Sequence, residues 1–302
     1  MRAPEVSIVL IFLDEERYLA EAIESVNRQS CNDWELILVD DGSSDRSAAI
    51  AAAAAERDPR RVRVLRHAGG ANLGMSASRN LGLHACRGEF VSFLDGDDVM
   101  PDNKVAHQSA LLAAHRYAAG VAGPMLRWWS WNGSGRSDEV QRFDFPAGND
   151  PELRIVPPPA LVTRFVRNTK LTPGGCLFRR SVLMEEGGYE PAFRGMYEDQ
   201  IVLAKLFLTR PILLTNRVGL LYRRHAQSAV AAAFRSGKRG IWRQRYLQWL
   251  RAEVDRRRIT DPELGRAIRD ELWRCRFSNF LQGARGWARG VRRRGARHAA
   301  EG

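Results

Sequence analysis

Cysteine is scarce in this chain: four residues in 302, Cys31, Cys86, Cys176 and Cys275, with no CxxC pair and no regular spacing. That pattern supports neither a disulfide framework nor a zinc site and makes a reducing compartment the default expectation. Long apolar runs are missing as well. No stretch approaches the roughly 20 apolar residues that cross a bilayer. The first run, Val6 to Leu13, is broken at once by Asp14, Glu15 and Glu16, too early for a secretory leader. A cytoplasmic protein is therefore expected. There is no P-loop, and no GxGxxG follows the first apolar run. DEERY stands there instead, and its carboxylates would repel a pyrophosphate unless a metal intervened.

What is present is the balance of a folded protein. With 44% hydrophobic and 27% charged residues, the chain can bury a sizeable core, which excludes a disordered tail protein. The net charge of +12 is not spread evenly. Residues 235–302 hold nineteen basic and seven acidic side chains, so this segment carries the whole excess and the rest is neutral. Any argument from basicity to a partner therefore concerns the tail alone.

Residues 6–13 (VSIVLIFL) read as a strand buried on both faces. An amphipathic helix is expected from Asp14 onward, then a second strand (WELILVDD), an Ala-rich helix over 45–57, a third strand (VRVLRH), a Gly-containing loop leading into a helix, and a fourth strand (EFVSFLDGDD). This alternation predicts an α/β fold with a doubly wound, mostly parallel sheet flanked by helices. Irregular structure with one or two strands is expected over 121–160. Further on come helices near 161–167, 181–187 and 198–208, with a strand at CLFRR. The tail reads as two basic helices, 238–258 and 263–282.

Two of the strands end in acid clusters, and open α/β sheets bind ligands beyond the carboxyl ends of their strands. Asp95-Gly96-Asp97-Asp98 concentrates charge that repels itself unless solvated or shared with a cation, and Mg2+ or Mn2+ suits such oxygen ligands. Asp40-Asp41-Gly42-Ser43 can accept hydrogen bonds from a base or ribose, although Asp-Gly is also an ordinary turn. Glu198-Asp199 opens a helix, where carboxylates suit the dipole whether or not they do chemistry.

Taken in order, VSIVLIFLDEERYL, ELILVDDGSSD, ANLGMSASRN, FLDGDD, GMYEDQ and YRRHAQS resemble the family 2 glycosyltransferases, which have the GT-A fold and invert the sugar of a nucleotide-sugar donor. The resemblance runs from Val6 to Ser228. It implies that Asp41, with Asp40, binds the uracil or ribose, and that Phe12 and Glu16 belong to the nucleotide pocket. It places Arg79, Asn80 and Asp95 beside the nucleotide and Asp97 on the metal, and it makes Asp199 the catalytic base. Where the family commonly has Pro-x-Tyr-Asn, this chain has Ile11, Leu13 and Asp14, so the ring expected to pack on the base is missing. Residues 1–234 are then the transferase domain, with a nucleotide half to about 115 and an acceptor half to 234, and 235–302 is a basic helical extension.

Other residues carry weaker signals. The resemblance lets His225 face the metal or diphosphate, and Arg223 and Arg224 can neutralise charge there. Gly174 and Gly175 allow backbone to approach the sugar or acceptor, and Glu198 stands beside the base. Trp131, with Trp128 and Trp129, can stack on sugar rings or plug the core. Expected partners are a nucleotide-sugar donor, a UDP-sugar first, and a carbohydrate or lipid-linked acceptor. The tail either docks on an anionic membrane surface, at the inner face, or packs on the core. Nucleic acid is the weaker alternative, since the rest of the chain is neutral. A non-catalytic nucleotide-sugar binder is the other competing class.

Overall fold

The computed structural model describes residues 3–142, 152–168, 174–228, 231 and 239–276. Strands β1 (Val6–Phe12), β2 (Trp34–Asp40), β3 (Val62–Arg66) and β4 (Phe90–Asp95) alternate with helices α1 (Leu19–Asn27), α2 (Ser47–Arg57), α3 (Met75–Ala85) and α4 (Lys104–Ala114). Then follow β5 (Gly120–Gly123), β6 (Met125–Trp128), β7 (Glu139–Gln141), β8 (Leu153–Val156), α5 (Ala160–Arg167), β9 (Gly174–Arg179), α6 (Arg180–Glu185), α7 (Glu198–Phe207), β10 (Ile212–Thr215) and β11 (Leu220–Arg223). Helix α8 (Arg239–Arg256) and a helical stretch over 262–276 come last.

Eight strands form the main sheet in the order β3-β2-β1-β4-β9-β5-β10-β8. Only β9 and β8 run against their neighbours. Every residue of β1 and β2 is buried, because side chains alternate between two covered faces. Ile8, Leu10, Leu36 and Leu38 point to the face packed by α1, α2 and α4. Val9, Ile11, Ile37 and Val39 point to the face packed by α3, α5, α7 and α8. A smaller sheet, β11-β6-β7, stands apart from the main one.

Two expectations need correction. Helix α1 starts at Leu19, not Asp14. Asp14 sits in the left-handed region (φ 54°), and its carboxylate accepts N–H groups of Ser44 and Asp45 across the loop; Asp tolerates that backbone better than most residues. Among the described residues, the region 121–160 holds four short strands, β5 to β8, rather than one or two. At three or four residues each they are too short for alternation to register, and apart from the β6–β7 pair their partners lie far along the chain.

Of the two readings of the tail, core packing describes residues 239–276. Tyr246, Leu247, Leu250 and Leu264 are fully buried in the same cluster as Val9 and Ile37, and the Tyr246 ring stacks on Tyr197 at 5.2 Å. The run GWARGVRRRGARH lies outside the described residues. Among the described residues no helix is long and apolar enough to cross a membrane.

Beneath the sheet, Lys104 is buried; its Nζ touches Ser92 Oγ and lies 3.5 Å from the Cys176 carbonyl. Burial pulls the ammonium down to about 7 from an ordinary 10.5. The unfolded chain then binds more protons than the folded one between those values, so this residue's contribution to stability rises with pH across that window. Lys104→Met should be more stable than the parent near neutrality. Urea denaturation from pH 7 to 10 should show the difference shrinking by up to about 1.4 kcal/mol per pH unit.

Candidate active site

The ends of three parallel strands meet at one edge. In register, Phe12 of β1 faces Asp40 of β2, and Ile11 faces Asp95 of β4. After β4 the chain turns through Gly96, and Asp95, Asp97 and Asp98 offer carboxylate oxygens that all lie within 4.8 Å of one another. Asp98 is turned inward and accepts the Arg223 N–H at 2.9 Å. Burial, with the charges of Asp97 and Asp95, holds Asp98 well above the usual carboxylate range. Asp95 is also raised, by burial, which Arg79 opposes and Asp199 and Asp97 reinforce. Glu15 joins this acidic group: burial and the charge of Asp97 push it up to about 8. Carboxylates crowded until they resist ionisation form a donor set that suits a hard divalent cation.

Arg79, on α3, connects the cluster to the second half of the chain. Its guanidinium is buried and contacts Asp95 at 2.7 Å and Asp199 at 3.5 Å. Burial disfavours the charge, but Asp95 and Asp199 more than offset this and leave Arg79 above its ordinary value. Asp199 keeps 53% of its side chain open. It lies in the first turn of α7, after Tyr197 in the left-handed region (φ 72°). Neighbouring Glu198 is buried, accepts the Gly195 N–H, and is raised chiefly by burial.

Arg79, Asp95, Asp98, Tyr189, Asp199 and the backbone of Gly174 and Gly175 line one cleft of about 520 Å³, counting its open mouth. Because β9 runs antiparallel, its first residues reach the edge where the parallel strands end. Gly175 has φ +57°, and a Cβ there would fall 1.9 Å from the Gly219 carbonyl oxygen. Gly175→Ala should therefore cost about 2 kcal/mol or more in chemical denaturation, since left-handed strain adds to a backbone clash.

The end of β11 braces the acidic turn from the other side. The His225 Nε2 lies 2.9 Å from Asp97 Oδ2, which raises the imidazole's pKa. Arg223 donates to the Asp97 carbonyl at 2.7 Å and to Glu21 at 2.6 Å, and is ringed by Tyr18, Trp128 and Trp131. Trp131 thus packs on Arg223, with its indole N–H on the Arg224 carbonyl.

Other sequence candidates lie apart from the cleft lining. The Phe12 side chain is in the core, and its carbonyl accepts the Asp41 N–H. Glu16 lies at the surface, paired with Arg46. Asp40 holds its own turn through Gly42 and Ser43, and pairs with Arg66. The buried Asp41 carboxylate accepts the N–H groups of Leu73 and Gly74. Asn80 grips both backbone groups of Tyr189. Asp98 belongs to the acid cluster read from sequence, whereas Glu15 was not singled out there, where it reads as one more acid in a polar turn.

Residues 7–187, more than half of the chain, match the family model Glycosyl transferase family 2. The chain belongs to this family. Among curated relatives of this family 2 chain, the Bacillus subtilis protein named uncharacterized glycosyltransferase EpsJ is 45% identical over 95 residues, 32% of this chain and 26% of EpsJ. The cholesterol galactosyltransferase of Borreliella burgdorferi is 36% identical over 94 residues, 31% of this chain and 25% of that protein. The matched segment thus spans about a quarter of each relative. Among solved structures, S. aureus TarS 1–349 in complex with UDP-GlcNAc superposes with a TM-score of 0.67 at 20% identity, covering 91% of this chain and 73% of TarS. The Pyrobaculum calidifontis mannosyltransferase PcManGT, in complex with GDP-Man and Mn2+, gives 0.57 at 15%, covering 90% and 70%. At these identities the likeness is one of fold, and the family 2 chain has the GT-A architecture.

Proposed function

We propose that this chain is a metal-dependent, inverting glycosyltransferase that moves a sugar from a nucleotide-sugar donor to an acceptor hydroxyl. The observation that carries the reading is Arg79, whose guanidinium touches both an acid of the strand-end cluster and the open carboxylate of Asp199 in one cleft. Asp95, Asp97 and Asp98, with His225 beside them, are the residues to hold Mg2+ or Mn2+. Such an ion, when bound, stabilises negative charge on the departing diphosphate. Asp199 takes the proton of the acceptor hydroxyl. The hydroxyl oxygen then attacks the anomeric carbon as the bond to the diphosphate breaks, and attack opposite the leaving group inverts that carbon. Arg79 orients Asp199 through its guanidinium contact.

Asp41 and the Asp40 turn at the end of β2 form the edge for the base and ribose, with the exposed Leu13 in place of an aromatic ring. The product on this reading is an envelope or secreted polysaccharide, made at the inner face of a membrane. Support for that placement is the basic excess confined to 235–302. A thermal-shift panel of uridine, guanosine, cytidine and thymidine diphosphates and their sugars, with and without Mn2+, tests the reading. A ligand at 100 times its Kd should stabilise the fold by about 2.7 kcal/mol. No shift from any compound with Mn2+ would sink the proposal.

A further inference from the structure

The two arginines that end β11 and follow it are used differently. Side chains alternate along a strand. Leu220 lines the cleft, so within the strand Tyr222 lies on that same side and Arg223 on the other, and Arg224 follows directly after the strand. Arg223 is fully engaged with Glu21, the Asp97 carbonyl and three aromatic rings. Arg224 is the opposite case. Its backbone is fixed, the N–H donating to the Trp128 carbonyl at 3.0 Å and the carbonyl accepting from Trp131 at 3.1 Å. Its guanidinium, 5.1 Å from the ring centres of both Trp129 and Tyr222, meets no carboxylate or carbonyl among the described residues. Its Nε is buried without an acceptor.

A second arginine, Arg136, packs on the same Trp129 ring at 3.3 Å and also has no acid partner among the described residues. The nearby acids are occupied. Asp138 accepts the N–H groups of Trp129 and Ser130 and the Ser130 hydroxyl, and Glu139 pairs with Arg127. A guanidinium stacked on aromatic faces keeps its N–H edge for a planar, bidentate acceptor such as phosphate. A buried donor with no acceptor is costly, and a bound oxyanion removes that cost.

We infer that Arg224, with Arg136 and the rings of Trp129 and Tyr222, forms a seat for a phosphate-type oxyanion carried by the acceptor. This rests on the transferase reading above and narrows its acceptor to an acidic one. The location favours the acceptor over the donor. Trp129 directly follows β6 of the three-stranded sheet, in the segment expected to form the acceptor half, whereas the Asp40-Asp41 turn lies at the β1–β2 edge of the main sheet. The same rings can pack on the C–H faces of an acceptor sugar.

The test uses the full chain and two probes, sn-glycerol 3-phosphate and UDP with Mn2+, titrated at constant ionic strength into the parent, Arg224→Gln, Arg136→Gln and Arg274→Gln. Arg224→Gln should weaken glycerol phosphate about tenfold or more, and Arg136→Gln about threefold, with Mn2+–UDP affinity unchanged within twofold. Arg274→Gln, in the C-terminal helices, should change neither. If UDP binding falls instead, the oxyanion belongs to the donor diphosphate and the acceptor assignment is wrong. Unchanged glycerol phosphate binding in both Arg224→Gln and Arg136→Gln, or an equal loss in Arg274→Gln, overturns the seat itself. Failure of the parent to bind Mn2+–UDP counts against the transferase reading, while the glycerol phosphate titration still reads the seat. Arg136→Gln, at an exposed side chain, keeps the test informative should Arg224→Gln fail to fold.

Discussion

Asp199→Asn should lower sugar transfer by about 10²- to 10⁴-fold, the range expected when a positioned general base is removed. Asparagine keeps the shape and the contact with Arg79 but cannot accept the hydroxyl proton. The loss should appear in kcat, with Mn2+–nucleotide affinity changed little, because the half-exposed carboxylate sits across Arg79 from Asp95 rather than within the cation cluster. Steady-state kinetics with a saturating donor, alongside a nucleotide titration, separate the two effects. A variant that retains more than a tenth of the parent kcat would remove Asp199 from the role of base.

Asp97→Asn should act on the acid cluster instead, and with opposite signs on stability and function. Without a cation, the charge of Asp97 helps to push up Asp98, Asp95 and Glu15. Neutralising it relieves that repulsion, so the metal-free variant should melt no lower than the parent even though the bond to His225 is weakened. With Mn2+ present, the parent should gain stability and the variant should not. Loss of a carboxylate ligand should weaken the ion by about 100-fold or more. Melting curves across a Mn2+ titration measure both halves. Equal stabilisation of the two proteins would mean that the ion is held elsewhere.

Much of the architecture can be read from local pattern. The runs VSIVLIFL and WELILV are continuous because both faces of β1 and β2 are covered, and their acidic ends mark the edge where the cleft opens. The four short strands β5 to β8 were not legible, since what defines them is pairing with β9, β10 and β11, or for β7 with β6, rather than anything in their own three or four residues. The start of α1 was misplaced because a polar run gives no sign that Asp14 will adopt a left-handed backbone. The site divides in the same way. Asp95, Asp97 and Asp98 announce themselves as a cluster, whereas Glu198-Asp199 looks like any acidic helix start until Arg79, 120 residues earlier, is seen to touch it. The tail was open to two readings because an apolar stripe amid arginines suits a lipid surface and a protein core equally. Only the burial of Tyr246, Leu247 and Leu250 decides between them for the described helices.

Arg79 is one cation shared between two anions, and a shared counterion makes its partners thermodynamically dependent. Whatever draws Asp95 toward itself leaves the guanidinium more fully to Asp199, and whatever engages Asp199 returns it to Asp95. By linkage the free energy of that exchange is the same in both directions. Loading one side of the cleft would therefore change affinity on the other by the same factor whichever is filled first, a coupling carried by a single buried side chain.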